Sequence, residues 1–98
     1  MEFAKDGATE RFAELSRAVG TANTADSNET AADKFIDGLC EICRKCGVPS
    51  IAEYGIDIDK FTSAIPKMTI DALESGSPAN TRKNVSGDDI SAIYKALI

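Results

Sequence analysis

Histidine and tryptophan are absent from all 98 residues, and three cysteines are the only thiol metal ligands. Without an imidazole the chain lacks the usual general base of nucleophilic catalysis and the commonest protein metal ligand. Ser-His-Asp and Cys-His constellations and histidine-held metal sites are therefore excluded. The seven glycines are scattered and form no phosphate-cradling loop. No apolar run approaches the ~20 residues that cross a bilayer. The opening Met1, Glu2, Phe3, Ala4, Lys5, Asp6 lacks the apolar stretch of a secretory signal. The expectation is a cytoplasmic protein with no membrane partner.

Positive charge is also in short supply. Eleven Lys and Arg stand against sixteen Asp and Glu, a net charge of -5, and the basic residues are dispersed. Neutralising a phosphate backbone requires clustered cations, so nucleic acid is not expected as a partner. Three cysteines, an odd number within seven positions, make no disulfide framework and suit a reducing compartment.

What is present has the balance of a globular domain, with 43% hydrophobic and 28% charged residues. Periodicity predicts an all-α fold, a small bundle of about four main helices with 1–98 as a single helical domain. The first helix is expected over residues 8–19, with Phe12, Leu15 and Val19 inward and Gly20 as its stop. Residues 21–27, rich in Thr, Ala, Asn and Asp, read as a flexible linker. Ser27 caps the second helix, whose stripe Ala32, Phe35, Ile36, Leu39, Ile42, Cys43 and Cys46 runs to Gly47, with Pro49 beyond.

Residues 50–54 suit one helical turn closed by Gly55. Asp57 then caps a third helix to about Leu73, with Phe61, Ile65, Met68 and Leu73 inward and Pro66 expected to bend or split it. Residues 75–85 read as an irregular loop. Ser86 and Asp89 open the last helix as a capping arrangement, and Ile90, Ile93, Tyr94 and Leu97 form its stripe. No segment alternates with period two over a strand's length.

Among the chemical signals, Cys40-x-x-Cys43-x-x-Cys46 matches the first three ligands of a ferredoxin run, but Pro49 follows and no fourth cysteine exists. On a helix the three thiols fan over about a third of a turn instead of enclosing an ion, so small buried apolar side chains are the expectation. Glu10, Glu14, Asp33, Asp37 and Glu41 are spaced as solvated helix faces, and Asp57 and Asp59 as a helix start instead of a cation loop. Gly76, Pro78, Asn80 and Arg82 share a loop, where an amide and a guanidinium can orient a polar substrate or clamp backbone; a plain helix connection is the default.

One resemblance covers nearly the whole chain. Gly47-Val48-Pro49-Ser50-Ile51-Ala52-Glu53-Tyr54-Gly55-Ile56-Asp57, then Asn80-Thr81-Arg82, then Ser86-Gly87-Asp88-Asp89-Ile90 and Ile93-Tyr94, follow in order. The order and spacing resemble the C-terminus of the iron-containing alcohol dehydrogenases. Arg11-Phe12-Ala13-Glu14-Leu15 is similar to that family's helix after its metal-binding region. Thr81 stands where the family usually has proline, and the step from Arg82 to Ile90 is one residue longer than is typical.

The resemblance implies the end of a dehydroquinate synthase-like helical domain, in an enzyme that interconverts an alcohol and an aldehyde or ketone with NAD(P). It implies Fe2+ or Zn2+ held by an aspartate and histidines upstream, and a nucleotide-binding domain that these residues do not include. Ser77, Pro78 and Asn80 would wall the substrate pocket. No residue here is assigned to catalysis, to cofactor binding or to a metal, and the isolated chain is expected to be inactive. Its partner would be the remainder of the parent enzyme, with a homo-oligomer as a further expectation. The alternative is a free-standing helical interaction module without catalytic activity.

Overall fold

A computed structural model describes residues 1–98 and is entirely helical, with four α-helices and two short 3-10 turns. The chain divides into two compact units, Met1–Val48 and Pro49–Ile98.

The first unit holds a 3-10 turn, Lys5–Gly7, then helices α1 (Thr9–Ala18) and α2 (Asn28–Lys45), which pack on each other. Its core consists of small side chains. Ala13, Ala31, Ala32 and Ser16 have no exposed surface, and Ile36 is buried beside them. Alanines at a helix crossing let the backbones approach closely. Phe12 and Phe35 add a tilted ring contact at 5.8 Å between centroids.

The inward positions of α1 differ from the expected stripe. Leu15 and Val19 lie in solvent, 47% and 61% exposed, and Ala13 and Ser16 take the inside. Hydrophobicity favours the larger residues, but the face of α1 turned to α2 is the one that carries Ala13 and Ser16. Ser16 is satisfied there: its carbonyl accepts from the Thr21 amide and the Thr21 hydroxyl, and the two hydroxyls lie 2.7 Å apart.

Residues 21–27, expected as a flexible linker, form the turn between α1 and α2 inside this unit and are tied down by side chains. The Arg17 guanidinium donates to the carbonyls of Asn23 and Asp26 and to Asn28 Oδ1. Asn23 Oδ1 accepts from the amides of Ala25 and Asp26, and Asp26 Oδ2 accepts from the Asn23 amide and Lys34 Nζ. Asx turns of this kind give polar loop backbone its partners. The Ser27 side chain caps α2 by accepting from the Thr30 amide.

Helix α2 ends in a Schellman motif. The Gly47 amide donates to the Arg44 carbonyl and the Val48 amide to the Cys43 carbonyl, with Gly47 left-handed at φ 66°. At 1.5 Å per residue the 18 residues of α2 span about 27 Å and the 10 of α1 about 15 Å. α2 therefore outruns its partner. Its inner stripe continues past α1, and Cys43 is exposed although its helical phase matches the buried Ala32 and Ile36; Ile42 and Cys46, to one side of it, are exposed too. The expected burial of the cysteines is corrected on this ground.

The second unit starts with a single helical turn closed at both ends. Ser50 Oγ accepts from the Glu53 amide while Glu53 Oε2 accepts from the Ser50 amide. The Tyr54 amide reaches the Ser50 carbonyl, and Gly55 and Ile56 donate back to Ala52 and Ile51. Helix α3 (Ile58–Glu74) is capped by Asp57, which accepts from the Lys60 amide.

α3 is not split at Pro66. Proline removes only the bond to the Thr62 carbonyl, and both residues are exposed, so water can take the orphaned acceptor. A 3-10 turn, Ser77–Asn80, lies within the stretch expected to be irregular. Helix α4 (Gly87–Ala96) opens with a complete Ser86–Asp89 capping box. α3 packs on α4 through buried Ile65 and Ile90, with Phe61 edge-on to Tyr94 at 6.4 Å. Leu73, Ile93 and Leu97, expected inside, are each more than 40% exposed.

Candidate functional site

Each unit carries a surface hollow. The larger, about 410 Å³, opens beside the 3-10 turn after α3. The αL conformation of Gly76, φ 75°, turns the chain out of α3, and Pro78 starts the turn with its fixed φ. Gly76, Pro78, Thr81, Lys83 and Asn84 lie around the hollow, with Leu73 supplying apolar floor.

Of the three residues expected to wall a pocket, only Pro78 lines this hollow. Ser77 and Asn80 are exposed and lie outside its lining. The Ser77 amide donates to Ser75 Oγ, and Ser75 Oγ donates to the Ala72 carbonyl. The serines thus secure the helix exit. Thr81 belongs to the Asn80-Thr81-Arg82 segment of the resemblance, whereas no motif in the sequence marks Lys83 and Asn84, which join the rim beyond the 3-10 turn.

The smaller hollow, about 190 Å³, lies between the N-terminal turn and the start of α2, lined by Lys5, Asp6, Thr9, Glu29, Ala32 and Asp33. Lys5 and Asp33 form an ion pair across it. The hydrogen bond to Asp33 is the main reason the Lys5 ammonium titrates above the ordinary lysine value.

The other displaced titrations have structural causes. Asp26 is held below the usual carboxylate value first by Lys34 and then by the Asn23 amide, and Asp89 by the Ser86 amide and hydroxyl of its capping box. Each charge stabilises a loop or a helix start.

No three His, Cys, Asp or Glu side chains come together as a metal site. With no histidine in the sequence, these residues do not fit the metal of an iron-type alcohol dehydrogenase. Nor is any helix long and apolar enough to cross a membrane. Comparison with known protein families, curated proteins and solved structures finds no match to this chain.

Proposed function

We propose that this chain is the C-terminal helical part of an iron-containing alcohol dehydrogenase whose parent interconverts an alcohol and an aldehyde or ketone with NAD(P). The observation that carries the reading is the serial order of chain punctuation. A Gly47 helix stop leads to a capped turn at 50–55, an Asp57 cap, a tight turn carrying Pro78 and Asn80, and the Ser86 capping box. These devices fall on the residues that carry the family resemblance.

The role within the parent is structural: to pack against the metal-bearing helices and to wall the substrate cleft with the turn at Pro78. Fe2+ or Zn2+ and NAD(P) belong to the parent's other parts, so no step of the reaction is assigned to residues here. The overhanging end of α2 supports this role, since its apolar phase continues where nothing in its own unit covers it.

A second reading, a free-standing helical interaction module in a cytoplasmic setting, draws on Ile70, Leu73, Ile93 and Leu97. They leave α3 and α4 with exposed apolar surface of the sort that mediates association.

The deciding experiment is to sequence the gene upstream of the Met1 codon. An open frame encoding a nucleotide-binding domain, followed by an aspartate and several histidines, is the expected result. A stop codon and an independent ribosome-binding site would overturn the enzyme-tail reading and leave the interaction module.

A further inference from the structure

The three cysteines have lost the explanation that packing would give them. Cys40, Cys43 and Cys46 are all exposed, while the interior of the first unit is made by Ala13, Ala31, Ala32, Ser16 and Ile36. When a cysteine is not needed to fill space, its reactivity is what remains to account for it.

Residues three apart on a helix carry their Cβ atoms about 5–6 Å apart. A disulfide requires about 3.5–4.5 Å. Closing that gap inside a regular helix means distorting hydrogen-bonded turns on both sides. Cys40 and Cys43 are in that position, with α2 continuing beyond both.

Cys43 and Cys46 are not. Cys46 is the C-cap, the last residue with right-handed helical backbone before the chain turns at Gly47. Beyond it the chain reverses at left-handed Gly47 and no further helical turn builds on Cys46, so bringing its side chain toward Cys43 disturbs the Cys46 amide bond to Ile42 and the bonds of the helix exit while the interior turns of α2 stay intact. Helix ends are also where the ladder frays first.

We propose that Cys43 and Cys46 are a thiol-modification site that forms an intrahelical disulfide by exchange with a small-molecule disulfide such as glutathione disulfide. One thiolate attacks a sulfur of the oxidant, its S–S bond breaks and one glutathione leaves as the thiol. The second protein thiolate then attacks the mixed disulfide and expels the other glutathione, which takes up a proton. Two protein S–H bonds are lost, two glutathione S–H bonds are formed, and the disulfide passes from oxidant to protein. The inference rests on the exposed end of α2 in the free chain and not on the family reading, in which the rest of the parent would cover that end.

The test is to incubate the full chain with glutathione disulfide and read intact mass, free-thiol count and non-reducing electrophoresis. The expected product is a monomer lighter by two hydrogens, with its free thiols reduced from three to one. Cys40→Ser should give the same loss of two hydrogens, whereas Cys43→Ser and Cys46→Ser should instead stop at stable glutathione adducts. Adducts on all three cysteines of the unaltered chain, or disulfide-linked dimers as the main product, would overturn the proposal. So would loss of the internal disulfide in Cys40→Ser with its retention in Cys46→Ser. Circular dichroism of each variant before oxidation separates a missing thiol from a misfolded helix.

Discussion

The two units are built from the same element, a longer and a shorter helix joined by a loop, and they are held together differently. In the first, α1 and α2 meet over alanines and a serine, and the connection is fastened by Arg17, Lys34 and the Lys5–Asp33 pair, contacts that join residues far apart in sequence. In the second, α3 and α4 meet over two isoleucines and an aromatic pair, while the described side-chain hydrogen bonds mostly secure helix ends within four residues. A close crossing of small residues buries little apolar area per side chain and needs polar ties to fix its loop. A crossing of larger residues gains more from each one and depends on fewer of them.

The sharpest way to break that contrast is to remove Ile65, the largest fully buried side chain, only 2% exposed. Ile65→Ala should cost about 2–4 kcal/mol, the range for large-to-small changes in cores. Units of this size have little stability to lose. Hydrogen exchange should show α3 and α4 losing amide protection while α1 and α2 keep theirs. Equal loss in both pairs would mean that the units unfold as one.

The counterpart in the first unit is Arg17→Ala. It removes three hydrogen bonds from the 21–27 turn without touching the alanine crossing. The donor is charged but partly solvated, so a loss of about 1–2 kcal/mol is expected, toward the lower end for charge-assisted bonds. Exchange should accelerate first in the turn and at the start of α2. If the turn amides keep their protection, the polar ties contribute less than the comparison assigns them.

The parts legible in the sequence were those set by local chemistry. Ser27, Asp57 and Ser86 each carry a side-chain oxygen three residues before a free first-turn amide, and all three cap helices. Gly47 and Gly55 stand where left-handed backbone ends a helical turn. Burial was less legible because it depends on what lies opposite. Leu15 and Val19 follow helical spacing as well as Ala13 and Ser16 do, and it is the face that α2 covers that selects the smaller pair. Cys43 has the phase of a core residue but lies beyond the reach of α1, a fact of helix length on a different segment. The candidate site divides in the same way. Pro78 is a loop residue that the resemblance places at the pocket, whereas Lys83 and Asn84 carry no sequence signal and join it only in the folded loop.

The smallest effect distinguishes the units by pH. Asp26 in the first and Asp89 in the second have lowered pKa values, so each stabilises its unit at pH values above the ordinary aspartate range. Those contributions fade as pH falls through the depressed values, and acid should weaken both units. Lys5 has a raised pKa, so its pairing with Asp33 is fully present below the ordinary lysine value and is lost as pH rises through the raised one. Only the first unit contains such a pair among the groups with displaced titrations. Alkaline titration followed by residue-resolved spectroscopy should therefore loosen the N-terminal turn from α2 before it perturbs the α3–α4 pair. Asp33→Asn should remove that difference. If the variant keeps the same alkaline loosening, the Lys5–Asp33 pair is not its cause, and the polar fastening of the first unit rests on Arg17 and Lys34.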